Sequence, residues 1–461
     1  MRLVNELISG LGRRGGHWII FALLMLYTVS VYTVLGERLD VLDAIRHQLV
    51  IGVVLIGLCV KVAAEYPVDL SESKPLVLGI VLLFLMMLLQ VPFAADQAYA
   101  KDTFIDYIVK QAMFTFFMIV LIRTPGRLRV FMFTFLFSVF WIYQESVRGL
   151  ISGSLVWRNQ GIMRLHGAVD YYGHPNGLSL IAVTSLPFII YLYGVVRGRL
   201  LRMAMLGIAV LACVCIVFTG SRAGYLGTIA IAVFWWLYCR HRVRMAVVGV
   251  LAALVVVSVL PEQYRERFTS IGGEEAEGHS KDKRLEIMQD AWVIFLENPG
   301  GVGINSFMTV RMARFGRYQD THNLYLQALT HIGIQGTLVF LYFMLALYVA
   351  FERAVKRLER LQAALKRLAV VTDTDRRTRI LLARTVWDAD YVAAVARAGR
   401  LYLVMLAVNG IFAHTLYLIC WWFAAGLAIV VSAMTGEMEA AGRKVARQRL
   451  ATVEAAARQE T

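Results

Sequence analysis

Charge is scarce in this sequence. Asp, Glu, Lys and Arg make up 17% of its 461 residues, against 59% hydrophobic ones, where a soluble domain carries about 25% charged residues. An ordinary soluble domain is excluded. Cysteine is scarce too: Cys59, Cys213, Cys215, Cys239 and Cys420 all lie within or beside apolar runs, so no disulfide framework is visible. Cys213 and Cys215 are two apart on a helix and face different ways, which makes a poor metal pair. There is no internal repeat, no low-complexity tract, no P-loop and no dinucleotide fingerprint.

What is present is a series of apolar runs. A helix needs about 20 apolar residues to cross the hydrocarbon of a bilayer. On that rule the chain holds about 12 spans, near 17–35, 48–64, 76–93, 109–122, 129–147, 176–196, 203–219, 224–239, 245–260, 332–351, 399–417 and 419–434. The expected fold is an all-α integral membrane protein. The net charge of +15 points to topology rather than nucleic acid. The connections 123–129, 197–202 and 240–244 are short and basic, and basic short loops stay in the cytoplasm. Both termini are therefore expected inside, and the run from Trp18, which follows Arg2, Arg13 and Arg14, is expected as an uncleaved first span. This divides the chain into spans 1–9 (1–260), a large outer helical loop (261–331), spans 10–12 (332–435) with an inner helical insert at 352–398, and an inner tail (436–461). The insert and tail read as amphipathic helices on the inner surface, held by anionic lipid.

Several cations run against that bias. The outer loops near 148–175 and 261–331 carry Arg148, Arg158, Arg164, Arg265, Arg267, Lys281, Lys283, Arg284, Arg311, Arg314 and Arg317. Arg222 lies in the turn TGSRAGYLG, among small residues that admit a close neighbour. An anionic ligand is the natural reason for such cations, because the planar guanidinium fork suits phosphate. The stretch 163–179 gathers Arg164, His166, Tyr171, Tyr172, His174 and Asn176 before a span, suited to sugar or head-group contacts; a capped helix start explains Asn176 equally well. In QDTHNLYLQALTHIGIQG, His322 and His331 are nine residues apart and fall on opposite faces of a continuous helix. His322, sharing a face with Tyr325, is the active candidate, and His331 is expected to pack. Asn323 shares a face with Gln327.

Three stretches together, FTGSRAGYLG (218–227), KRLEIMQDAWVIFLENPGGVGINSF (283–307) and THNLYLQALTHIGIQG (321–336), resemble the O-antigen ligase and polymerase superfamily. The resemblance implies a membrane-embedded glycosyltransferase of the GT-C type. The ligase of Gram-negative bacteria would move O-antigen polysaccharide from undecaprenyl diphosphate to lipid A–core oligosaccharide, on the periplasmic face of the inner membrane. It implies no cofactor and no metal, which agrees with the lack of an outer D-x-D pair. Carried over by position, it implies catalytic roles for Arg222, Arg284 and His322. Arg158, Arg164, His174, Asn176, Arg265, Asn323 and Tyr325 are the expected substrate-binding residues. The expected mechanism is inverting, with His322 as general base or as a ligand of the diphosphate.

Alternatives remain open. A polymerase would use the same donor; R-x10-G patterns fit at Arg267–Gly278 and Arg46–Gly57, but chance matches are common in a chain with 36 glycines. A protein O-oligosaccharyltransferase is disfavoured by the short basic tail. A lipid-linked sugar flippase would place charges in mid-span, whereas here the polar candidates collect at the outer edge.

Overall fold

The computed structural model describes residues 17–159, 161–238, 241–259, 261–269, 280–371 and 376–459. Arg2, Arg13, Arg14, Cys239, Gly278 and His279 lie outside the described residues. The chain is an all-α integral membrane protein. Among the described residues the exception is one antiparallel hairpin, β1 Val156–Asn159 paired with β2 Ile162–Leu165.

Nine helices among the described residues are long and apolar enough to cross a bilayer. Two shorter apolar helices, Trp18–Thr33 and Arg222–Leu237, and the helix Arg242–Val259 occupy the other places where spans were expected. Helices Ala383–Gly410 and Ile419–Arg443 form the buried centre, while His47–Glu65 and Ser71–Gln90 lie at the periphery. Small residues make that centre possible: Ala389, Ala393, Ala394, Ala396, Ala398, Ala424, Ala425 and Ala428 are all buried, and small side chains let helix backbones approach within a bilayer. An aromatic cluster fills the space between them. Phe423 stacks on Phe135 at 4.9 Å, and Phe188 meets Tyr402 at 5.4 Å.

The charged segment 352–398 is made of the ends of two long helices, Leu324–Val371 and Arg376–Gly410. Arg400 pairs with Glu352 at 2.5 Å and Arg397 with Glu359 at 3.0 Å. One partner rises in number as the other falls, so the two helices run antiparallel. These two pairs bridge the helices, and Tyr391–Ala396 is buried. The second helix ends at Gly410, so residues 411–417, expected inside a span, belong to an irregular segment that runs to Leu418.

The helix from Leu324 is broken at Gly333 (φ 67°). A Cβ there would lie 2.3 Å from Gly300 C, so the site admits only glycine. The break frees backbone carbonyls, which need partners at membrane depth. The segment 299–305, PGGVGIN, supplies them. Val302 N donates to Thr330 O at 2.8 Å, Gly303 N to His331 O at 3.1 Å, and Ile334 N to Pro299 O at 3.0 Å. Gln90 Nε2 adds a bond to Gly300 O at 2.7 Å. The glycine-rich stretch is thus a brace for the kinked helix.

Candidate active site

His322 stands just before this helix, with φ at 49°. The left-handed region is uncommon for a residue with a side chain, and persists where surroundings enforce it. Here they do. Asn323 caps the helix, its Oδ1 accepting from Tyr325 N (2.9 Å) and Leu326 N (3.0 Å), while its Nδ2 donates to Ile411 O at 3.0 Å. Tyr325 Oη donates to Ala407 O at 3.0 Å, and Gln327 Oε1 accepts from Leu416 N at 3.0 Å. Asn323, Tyr325 and Gln327 therefore tie the base of this helix to 407–416 with their own polar atoms.

That tie brings His414 to His322, ring centroids 5.1 Å apart. Gln319 Nε2 bonds to His322 Nε2 at 3.0 Å. Beneath them lies the buried carboxylate of Asp320. It accepts from Thr321 N at 2.6 Å, and stands 3.9 Å from His414 Nε2 and 3.7 Å from His331 Nε2. Burial raises the Asp320 pKa, but His414, His331, the Thr321 N–H and His322 outweigh it and hold the group below the usual carboxylate range. His331 is fully buried, and its Nδ1 accepts from Asn305 N at 3.2 Å. His322 lies outside the helix, so the two histidines do not fall on opposite faces of one continuous helix; His331 and His414 stand at the two oxygens of Asp320.

Arg284 enters from the helix Ser280–Glu297. That helix is clamped by the neighbouring helix Phe307–Phe315 and the chain after it. Arg311 Nε donates to Asp290 at 2.9 Å within a buried pair, Arg317 pairs with Glu286 at 2.8 Å, and Arg314 pairs with Glu297. Arg311, Arg314 and Arg317 are thus matched to carboxylates. Arg284 also acts on two histidines. Burial, then His414, Arg284 and His174, push the His322 pKa down to about 4, with Asp320 pulling the other way. Desolvation, Arg164, His414 and Arg284 push His174 to about 4 as well.

Arg164, on β2, is buried and reaches two ways. Its Nε donates to Thr219 O at 2.7 Å and its Nη2 to Asn176 Oδ1 at 2.8 Å. His174 caps the helix Pro175–Val195, its Nδ1 accepting from Asn176 N at 3.1 Å. So Asn176 holds the arginine, and the cap is His174. The GSRAG turn packs against this assembly through its glycines. A Cβ on Gly220 (φ 56°) would sit 2.7 Å from Ile162 Cδ1, and one on Gly224 would sit 2.0 Å from Ser179 Oγ. Arg222 follows that turn at the head of its helix, half-buried.

The structure therefore gathers His322, Arg284, His174, Arg164 and Asn176 at one end of the bundle, and Arg222 stands two residues after Gly220, which packs against Ile162 and Arg164. It does not bring in Arg158 or Arg265. Arg158 pairs in register with Met163, one residue out of step with Arg164, and is exposed. Arg265 is exposed and lies 4.0 Å from Glu262 on its own helix. Sequence reasoning missed Asp320, Gln319 and the closeness of His414. Asp320 stands two residues before His322 and was the available signal. His414 was hidden inside a run expected to span.

At neutral pH the gathered site holds neutral imidazoles among guanidinium groups, with one buried carboxylate. Such a site attracts a multiply charged anion and offers it an uncharged base. No curated protein matches the chain. Residues 207–341, which contain Arg222, Arg284, Asp320 and His322, match the family model described as O-antigen ligase, and that match supports an O-antigen ligase family member.

Proposed function

We propose that the chain is a glycosyltransferase that moves O-antigen polysaccharide from undecaprenyl diphosphate to lipid A–core oligosaccharide at the periplasmic face of the inner membrane. The observation that carries this reading is the pairing of His322, neutral at pH 7, with Arg284, at the head of a membrane helix. The acceptor hydroxyl oxygen attacks the anomeric carbon as the bond from that carbon to the diphosphate oxygen breaks. The leaving diphosphate keeps the electron pair, and Arg284 and Arg222, with Arg164 beside them, stabilise its growing charge. The hydroxyl proton passes to His322 in place of its bond with Gln319. A single displacement inverts the anomeric centre.

A base at a pKa of about 4 is weak, and general bases work best near the operating pH. The donor itself corrects this. Its diphosphate offsets the charge of Arg284, one of the groups that depress His322, so binding raises the base toward its ordinary value near 6.5. Asp320, whose charge favours the protonated imidazole, then stabilises the imidazolium. The reaction as drawn is metal-independent, with arginines in the role of a cation.

The test supplies purified protein with a lipid-diphosphate donor and lipid A–core acceptor, in excess chelator. Glycan on lipid A–core supports the ligase. Longer carrier-linked glycan without lipid A–core product assigns a polymerase, and activity restored only by divalent cation refutes the metal-independent step. Translocation of donor without any transfer assigns a flippase.

A further inference from the structure

At the opposite end of the bundle lies a cavity of about 1000 Å³ that the proposed reaction does not use. It matches the upper bound of ordinary ligand pockets, about 300–1,000 Å³. It is bounded by the helices Pro125–Ser152, Pro175–Val195 and Arg199–Phe218, with Trp387 and Tyr391 at its polar end. Two of these helices touch near Tyr143 and Cys215, where Sγ meets the carbonyl at 4.0 Å. Toward Arg129 and Leu201 they leave the cavity between them. Gly207 widens it: a Cβ there would meet nothing within 4 Å. The walls are apolar and open to the membrane side, with Phe133, Phe137, Met203 and Leu206 exposed.

The mouth has the opposite character. Arg129 lies 4.2 Å and Arg197 4.7 Å from the centre of the Trp387 ring. Trp387 Nε1 donates to Val195 O at 2.9 Å, which fixes the ring between helices. Arg129 is paired with Asp388 at 2.5 Å. Two guanidinium groups thus face one carboxylate, and the mouth keeps a net positive charge above an apolar groove.

We propose that this groove holds an anionic phospholipid of the surrounding bilayer, its chains along the walls and its phosphate at Arg197. Basic pockets between membrane helices recognise anionic head groups in this way, and guanidinium suits phosphate. The polyprenyl carrier is a poor occupant. The mouth lies at the start of the helix Pro125–Ser152, and the hairpin bearing Arg164 follows its end, 28 residues later, about 40 Å at 1.5 Å per residue. A carrier whose diphosphate meets Arg284 cannot place that group here. The inference does not depend on which transfer reaction the other end performs.

The test reconstitutes the full chain in phosphatidylcholine vesicles. These contain a trace of phosphatidylglycerol, or of phosphatidylcholine, with a photoactivatable acyl chain. Crosslinked peptides are then mapped. The phosphatidylglycerol probe should label 133–140 and 203–210 about fivefold more strongly, the preference expected from one arginine near the surface. Arg197→Ala should bring the two probes level. Gly207→Phe should lower labelling by both probes. Arg197 is exposed and Gly207 faces open space, so both variants keep the fold. Equal labelling in the parent protein, or a preference that survives Arg197→Ala, overturns the proposal. So does displacement of the probe by a polyprenyl diphosphate but not by unlabelled phosphatidylglycerol.

Discussion

Arginine has different company at the two ends of this bundle. At one end it meets carboxylates: Arg400 with Glu352 (2.5 Å), Arg397 with Glu359 (3.0 Å), and Arg357 with Glu72 and Glu439 (2.7 Å each). At the other, Arg164 acts on His174, and Arg284 on both His174 and His322. The first group holds helices together through ion pairs. The second is marked by its effect on neighbouring imidazoles, which it keeps neutral at pH 7. Position in the chain does not separate the two groups, because Arg311, Arg314 and Arg317 lie close in sequence to the site and pair with carboxylates.

That comparison can be broken by substitution. Arg284→Ala should lower glycan transfer by about 10²–10³-fold, the usual cost of removing one charge-stabilising donor, with the melting temperature little changed. Arg222→Ala should behave alike. Arg311→Ala should do the reverse. It leaves the buried Asp290 with Arg317 alone, at 3.2 Å, and should cost about 1–3 kcal/mol of stability, seen in thermal unfolding, while the remaining folded fraction still transfers. Should Arg311→Ala leave stability intact and Arg284→Ala unfold the protein, the division between the two groups fails.

A subtler effect concerns pH. In the free protein His322 holds its proton only below a pKa of about 4, so the base form persists down to that range. The acid limb of kcat/KM, which reports the free enzyme, should therefore lie well below 6.5. The limb of kcat, which reports the donor complex, should lie higher, because the diphosphate offsets Arg284. A kcat/KM limb near 6.5 would show that the cations do not press on the base. The smallest effect is expected at Arg265, an exposed residue on its own helix: Arg265→Ala should change transfer by less than about threefold, in line with the small worth of surface pairs.

The membrane helices were legible because a bilayer imposes a length on apolar runs, and that constraint acts on local composition. The charged segment 352–398 was legible as helices, but its pairing was not: Arg397 meets Glu359, and Arg400 meets Glu352, across 38 and 48 residues of chain. The site was legible in part for a similar reason. His322, Arg222 and Arg284 lie in recognisable stretches. The role of Gly333 in ending a helix turn depends on contact with Gly300 and Gly301, which no local pattern encodes. The premise that His322 and His331 share one helix failed at the other end, because the helix begins at Leu324 and His322, with φ at 49°, stands before it. His414 was concealed because its neighbours, Ile411, Phe412 and Leu416, read as a span, while Gln327 and Asn323 hold that backbone in an irregular path.

The central claim is that His322 removes the proton from the acceptor. The most direct measurement compares the parent protein with His322→Ala, using one lipid-diphosphate donor, lipid A–core acceptor and a separate donor-binding assay. The account predicts that the variant binds donor like the parent yet transfers about 10²–10⁴-fold more slowly, the usual share of a general base. Transfer at a near-parental rate by a folded His322→Ala protein would contradict it.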